Sequence, residues 1–568
     1  MAVIALAPVA SLQLGVTPME ETHRKKSLFL SALMLTSVMV GLIGMMPMAT
    51  AANDTTTGTI SGTEVWSGTH TLTGDVIIAA GAKLIVQPGT TVTIPNGTII
   101  DVRGALCAGD VACGANGMAS NSSRITFNWQ DPADSQAYGS CYGIYNNNHW
   151  NRDPSCNEGI LLRNTVDIGY TKFRSVSITN AYGIPRWVTD ISEVKYGAVV
   201  LDGASPVLDN MKFEGVNTSS LLVLDLASPE IVGGEFVTGD DDTSLVGSAI
   251  QAYGAGSALN PFTIQGATFT GTDKGCGQND DGRHVLWGEK SFVDVSGVSI
   301  SSGDFGMRFD DTAGTVSGAT ISTTCNGIDV NNKRKVGVTD YKLVVEGNTI
   351  TTEERSPLTA FNRAWVDFNN NVITGASDGS GIQISDSIVS INGGSITDIG
   401  GWNGIWSIGE SDVIVEGVTI TGIAKEPIVA GEYHYGDSGW SVPYPTKNRM
   451  YIHDSIIEGE GGTCSSVKAW GGDFPCPAVH AFRSSLTLID NDITAGGDGD
   501  GIRAIGAIMD VRDNDINASG TGAIIINHDT NYAGQPEYGS LAFFSMNRWQ
   551  NVGQTYNITK SSVTVQSE

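Results

Sequence analysis

Through most of the chain, apolar and polar residues alternate in short runs, as in "DVIVEGVTITGI" (Asp412–Ile423). A period of two over a few residues predicts half-buried strands, and the Gly, Asn and Asp between runs predict turns. Helical periodicity is almost absent. The runs also repeat. Segments such as "GVSI" to Ile300, "GATI" to Ile321, "GNTI" to Ile350, "NNVI" to Ile373, "GGSI" to Ile396 and "GVTI" to Ile420 align with two "DNDI" copies ending at Ile493 and Ile516. Earlier members end at Ile178, Phe213, Phe236 and Phe269, another at Ile457, and "MNRW" to Trp549 is a degenerate last copy. The shortest intervals, such as 300 to 321 and 396 to 420, are roughly 21–24 residues. A unit of that size cannot bury its own apolar face, so neighbours must stack. Several short strands per unit predict a parallel β-solenoid. The leucine-rich repeat signature is missing. With strands ~4.8 Å apart, about 16 coils would span on the order of 75 Å.

The alignment also assigns the paired aspartates of "LIDNDI" and "VRDNDI". Asp490 and Asp513 fall in the slot held elsewhere by Gly297, Gly318, Gly347, Asn370, Gly393 and Gly417, which predicts a left-handed turn residue. Asp492 and Asp515 take the outward strand position of Ser299, Thr320 and Thr419. The pairs therefore read as the grammar of a coil, not as a catalytic dyad.

Composition narrows the partners. Glycine is abundant (71 residues), the formal net charge is −28, and hydrophobic residues reach 40 %. Such a chain is no disordered acidic tail. It also has no electrostatic footprint for nucleic acid or anionic membrane.

"HRKK" (His23–Lys26), an apolar run and "ATAA" around residue 51 predict a signal peptide over 1–52. Residues 1–18 read as an over-extended start before Met19, and an uncleaved anchor is the alternative. Eight cysteines without metal-finger spacing point to disulfides in an oxidising compartment. Sequence neighbours suggest Cys107–Cys113, Cys141–Cys156, Cys276–Cys325 and Cys464–Cys476. The third pair sits about two coils apart, roughly 10 Å if stacked, so a protruding loop has to bring the two together. Sequons at Asn53, Asn96, Asn121, Asn217, Asn517 and Asn557 suit a surface glycoprotein.

With strands, turns and coil length assigned, the chain resembles right-handed parallel β-helix proteins of the pectin-lyase-like superfamily, and among them secreted cell-surface β-helix proteins of archaea and bacteria. "TLTGDVIIAAGAKLIVQPGTTVTIPNGTIIDVRGALCA" (Thr71–Ala108) is similar to their opening coils. The resemblance covers roughly residues 57–550 and implies an all-β, right-handed parallel β-helix with disulfide-bearing loop insertions. The expected organisation is an N-terminal cap and first coils over 53–106, a disulfide-containing insertion over 107–160, and the helix with its C-terminal cap or a truncated end over 161–568. Fold alone does not give activity.

Two sets of residues could carry chemistry. The resemblance brings polysaccharide hydrolases and lyases into view, for which Asp281, His284, Asp310 and Asp311 are the first candidates, because two carboxylates facing one cleft suit acid–base cleavage. The motifs "GHG" and "RIK" of the polygalacturonase type are absent, and acidic turn loops in an acidic protein are the favoured reading of these residues. No cofactor is implied; calcium at an acidic loop is compatible with the composition, at no fixed site, since "GGDGDGI" (Gly496–Ile502) has its aspartates misplaced for a calcium nonapeptide and is not tandem. The second set comes from aligning the strand after each "GI", which predicts one outward residue per coil: Arg308, Asp329, Thr359, Gln383, Trp406, Val429, His480 and Arg503. Beside it the insertion "GEYHYGDSGWSVPYPTKN" offers Tyr433, Tyr435, Trp440 and Tyr444. Aromatic rings with polar neighbours suit a sugar face. The expectation is an exported protein binding extracellular polysaccharide, surface glycan or a partner protein through an exposed strip centred on Trp406. A hydrolase or lyase of acidic polysaccharides and a structural spacer of a longer surface protein are the alternatives.

Overall fold

The computed structural model describes residues 55–130, 158–189, 191–216, 218–238, 247–272, 275–276, 284–301, 303–332, 341–431, 448–464, 474–527 and 539–566. Each coil contributes three strands, as in His284–Glu289, Phe292–Ser296 and Ser299–Ser301, and each strand pairs in parallel with its counterpart one coil on. The result is a right-handed parallel β-helix with three strand faces, here called faces one, two and three in the order the chain visits them. No α-helix occurs among the described residues, and none of their helices is long and apolar enough to cross a membrane.

The alternation seen in the sequence is the packing rule. In Asp412–Glu416, Val413 and Val415 point inward and are buried while their neighbours face out. Repeat residues stack on one another: Ile300 pairs with Ile321, Ile321 with Ile350, Ile350 with Ile373, and the series continues through Ile493, Ile516 and Trp549. Phe213, Phe236 and Phe269 form a ring stack with centroid spacings of 5.3 and 5.6 Å. Each fully buried side chain contributes roughly 1.5–3 kcal/mol, and one continuous core runs the length of the helix.

The aspartate slot behaves as its neighbours predict. Asp490 and Asp513 have φ of 54° and 57°, beside 59° at Gly297 and 52° at Asn370. Between each aspartate pair sits a residue whose role the sequence did not disclose. Asn491 Nδ2 donates to Asn514 Oδ1 at 2.9 Å, and Asn514 Nδ2 donates to Asn547 Oδ1 at 3.1 Å, inside the corner between faces two and three. The same ladder links Asn348 to Asn371.

Three disulfides lie among the described residues: Cys107–Cys113, Cys276–Cys325 and Cys464–Cys476. Cys141 and Cys156 fall outside them. The Cα atoms of Cys276 and Cys325 stand 5.5 Å apart although an intervening coil separates their strands. Asp304 of that coil braces both sides: its carboxylate accepts from Gly275 N at 2.8 Å and its carbonyl from Cys325 N at 2.7 Å. Within the stretch 107–160, Ile125–Trp129 is not part of an insertion but a regular face-three strand, paired with Thr91–Ile94 and Val176–Thr179, because Ile125, Phe127 and Trp129 continue the inward pattern.

Candidate functional site

Face one carries the predicted ladder in register. Arg308 pairs with Asp329, Asp329 with Thr359, Thr359 with Gln383, Gln383 with Trp406, Trp406 with Val429, Val429 with His480, and His480 with Arg503. Towards the N-terminus the same row continues through Trp287 and Gln251. Parallel pairing holds outward positions in line, so side chains far apart in sequence share one strip.

The strip is not exposed as expected. Trp406 is only 8 % accessible and His480 2 %. Trp406 Nε1 donates to Gly431 O at 3.4 Å, and its ring meets Trp402 edge-on at 5.6 Å. His480 Nδ1 lies 3.3 Å from Glu426 Oε1, and Phe474 packs against both His480 and the Arg503 guanidinium, the latter 3.9 Å from the ring centroid. Burial lowers the His480 pKa more than Glu426 raises it, and Arg503 adds to the lowering. Here residues brought from other corners of the coils fill the outer side of face one. Gln383, half-buried, lies between Thr359 and Trp406. Tyr433, Tyr435, Trp440 and Tyr444 lie outside the described residues.

A different arrangement occupies the coils of Gln251 to Asp329. His284 Nε2 is 3.1 Å from Asp329 Oδ2, across an intervening coil. Asp329 also accepts from Asn326 Nδ2 at 2.8 Å and Thr359 Oγ1 at 2.5 Å. Burial alone would push its carboxyl up, but the hydrogen bond and charge of His284, with the Thr359 and Asn326 bonds, outweigh it and hold the carboxyl below the ordinary carboxylate value. The His284 ring rests on Phe305 at 4.9 Å and faces Trp287 at 6.4 Å. Arg308 Nε donates to both Asp310 oxygens at 3.1 Å, while its guanidinium lies 5.0 Å from the Trp287 ring. Lys195 reaches over Trp287 and Tyr253 at 5.3 and 5.8 Å.

Polar atoms buried here without a hydrogen-bond partner include Gln251 Oε1, Tyr253 Oη, His284 Nδ1 and Trp287 Nε1. Gln251 is paired with Trp287, and Tyr253 with Glu289, so these groups crowd two adjacent coils. Glu289 in turn pairs with Asp310, which places two water-excluded carboxylates one coil apart in the same row. Burial, then Glu289 and more remote carboxylates, push the Tyr253 phenol well up, so it keeps its proton at neutral pH.

Of the sequence candidates, His284 lies at the start of its strand against Asp329, whereas Asp310 lies at the far end of the next strand, opposite Glu289, so the two are not brought together. Asp311 belongs to the turn into face two, with φ of 46° like Lys290 at 52° and Asp386 at 50°. Asp281 lies outside the described residues. Gln251, Tyr253, Trp287 and Glu289 were not among the expected site residues. Extending the outward ladder upstream through "VLWGE" and "AIQAY" was the signal that would have found them.

Among the described residues one set of possible metal donors converges. Glu426, Cys464 and Cys476 converge within 4.8 Å, but the two sulfurs are joined to each other and supply no thiolate. In the loop Gly496–Ile502, Asp500 accepts from Thr521 N at 2.9 Å, and burial pushes its carboxyl up, as befits a structural acceptor.

No family model matches the chain, and no curated protein matches it in sequence. Among solved structures, the catalytic domain of a GH87 alpha-1,3-glucanase in complex with tetrasaccharides aligns at 13 % identity and a TM-score of 0.32 over 72 % of this chain and 63 % of that domain. A periplasmic alginate epimerase aligns at 8 % identity and a TM-score of 0.26 over 86 % of this chain and 78 % of its own. The A-module of a mannuronan C-5 epimerase from Azotobacter vinelandii aligns at 12 % identity and 0.26 over 72 % of this chain and 91 % of the module. The match to the glucanase spans less than two thirds of that domain's length.

Proposed function

We propose that the protein is an extracellular glycan-binding β-helix whose sugar site lies on face one, over the coils of Gln251, Trp287, Arg308 and Asp329. One observation carries this reading: buried polar atoms without partners, among them two on the aromatic side chains of Tyr253 and Trp287. An unmet buried donor or acceptor costs roughly 1–3 kcal/mol. A polyhydroxylated ligand answers that cost, since its hydroxyls both donate and accept while its apolar ring face packs on indole or phenol. Disulfides support residence in an oxidising compartment. Trp287 is preferred to Trp406, which is equally buried, because the Trp406 N–H has a backbone acceptor and the Trp287 N–H has none.

Affinity electrophoresis through gels containing soluble polysaccharides tests the reading. Retardation by at least one polymer is expected, with Trp287→Ala and Tyr253→Phe each weakening it by tenfold or more at a temperature where both variants are folded. Retention that survives both substitutions would sink the assignment.

A second reading, that the site also cleaves its glycan, rests on the Glu289–Asp310 pairing, since two carboxylates flanking a glycosidic bond are what hydrolysis needs. Size-exclusion chromatography of polymers after incubation separates the readings. Shortened chains that disappear with Glu289→Gln support cleavage, and unchanged chain length leaves binding alone.

A further inference from the structure

Upstream of the proposed sugar site the outer side of face one changes character. A hairpin, Ile184–Val188 antiparallel to the start of Glu193–Asp202, lies over it and pairs Arg186 with Lys195. Beneath, Arg163 is in register with Asp202. Arg163 holds the buried Asp101 through contacts of 2.7 and 3.1 Å, and Arg103 holds the same carboxylate at 2.8 and 3.1 Å. Arg186 Nε lies 3.3 Å from Asp202 Oδ2, outside hydrogen-bond geometry, and Nη1 donates to Pro185 O at 3.5 Å. Nε and Nη2 of Arg186 are buried with no hydrogen-bond acceptor. Three guanidinium groups therefore share two carboxylates, in a chain with 60 acidic and 32 basic residues.

Burial pulls the Arg186 pKa below the ordinary arginine value, and Arg163 adds to that, while Asp202 and Asp101 oppose it. An anion placed between Arg163 and Arg186 would relieve the mutual repulsion and give the idle N–H groups acceptors. The planar guanidinium fork matches the paired oxygens of a carboxylate or sulfate. The cluster is partly reachable: the Arg163 side chain is 37 % accessible, that of Arg186 24 % and that of Lys195, whose Nζ lies 2.8 Å from Glu193 Oε2, 19 %. It is also joined to the sugar site, because Lys195, across the hairpin from Arg186, extends over the rings of Tyr253 and Trp287.

We propose that Arg163, Arg186 and Lys195 form an anion subsite at the N-terminal end of the glycan site, which takes a carboxylate or sulfate substituent of the bound polysaccharide. This rests on the glycan reading above and adds the class of polymer. The overall charge of −28 repels a polyanion, so the attraction is local and depends on these side chains.

The test compares matched pairs of polymers on the full chain: polygalacturonate against its fully methyl-esterified form, and dextran sulfate against dextran. The expected result is at least tenfold tighter binding of one charged member than of its neutral partner, and which pair shows it names the anion. Arg186→Gln should erase most of that preference. Lys195→Gln, in the same hairpin but with a more easily replaced side chain, should reduce it several-fold even if Arg186→Gln lowers stability. Equal binding of charged and neutral partners, or an unchanged preference in both variants, overturns the subsite and leaves glycan binding standing. Binding of none of the four polymers, nor of any in the electrophoresis panel, overturns the glycan reading and the subsite with it.

Discussion

The two halves of face one carry the same register row and are built to different ends. Around Gln251–Asp329, polar atoms of Gln251, Tyr253, His284 and Trp287 are buried with nothing to bond. Around Trp406–Arg503, the row is closed by its surroundings: Trp406 against Trp402 and Gly431, His480 against Glu426 and Phe474, Arg503 over Phe474. Alternation decides which side of a strand a residue occupies, but what lies above that side decides whether it can meet a ligand. The tryptophan and histidine of the row are buried in both halves, and the halves differ in whether the indole N–H has a protein acceptor: Trp406 has one and Trp287 has none.

Exchanging the outcome of tryptophan substitution is the most forceful way to break this comparison. Trp406→Ala removes a buried indole and should cost about 3–5 kcal/mol in urea unfolding, with glycan retention intact at a temperature where the variant is folded. Trp287→Ala removes an indole just as buried, at 7 % accessibility, and should carry a comparable stability cost while losing retention at a temperature where the variant is folded. Equal loss of retention in both would mean that the strip acts as one surface along its whole length.

A smaller effect separates structural polar residues from ligand-directed ones. Asn491 donates through Nδ2 to Ile452 O at 3.0 Å and Asn514 Oδ1 at 2.9 Å, and its own Oδ1 accepts from Ser455 N at 3.0 Å. Asn491→Ala strands these buried partners and should cost about 2 kcal/mol, read from the shift in unfolding midpoint. The corresponding loss at Tyr253→Phe should be near zero, because no protein partner is abandoned there. A large destabilisation by Tyr253→Phe would show that the phenol is already engaged.

Titration sharpens the contrast further. His480 has its pKa lowered in the folded protein, by burial first, so the unfolded chain binds the proton more readily. Stability from this group is therefore present above the ordinary imidazole value of about 6.5 and is lost as pH falls through that value towards the folded one. Urea midpoints at pH 7.5 and 5 should show the drop, and His480→Gln should flatten it. Asp329 has its carboxyl held low, so its contribution stays until pH falls below the ordinary carboxylate value of about 3.9. Asp329→Asn is therefore read below about pH 4, where it should flatten the fall of the urea midpoint that the wild-type chain shows.

Much of this was legible in the sequence, and the part that was not has a physical cause. Strand alternation, the residues ending each repeat and the left-handed slot are local properties, so Ile300, Ile350 and Asp490 could be assigned from their own neighbours. The row from Arg308 to Arg503 followed because parallel pairing copies position from coil to coil. Cover on face one is not local. It comes from Phe474, outside the regular strand alignment, and from the hairpin at Ile184–Val188. The His284–Asp329 contact skips a coil, so no alignment of adjacent repeats puts those residues side by side. The asparagine ladder was hidden for another reason: other coils fill that corner with Val298, Ala319 or Val418, and only a run of consecutive asparagines makes it a hydrogen-bonded chain.

The smallest expected effect concerns the aspartates that look most like a catalytic pair. Asp490 occupies a left-handed turn at φ 54°, where glycine in other coils adopts 59° to 64°. Asp490→Gly should therefore change stability by less than about 1 kcal/mol, whereas Asp490→Val, with a branched carbon forced into that region, should cost about 1–2 kcal/mol. Neither should alter glycan retention. The glycine variant is the telling one, because it deletes the carboxylate while keeping the backbone content. Were Asp490 to act on a ligand, Asp490→Gly would abolish retention at unchanged stability. Loss of stability in the valine variant alone would mean that the residue is there for the turn.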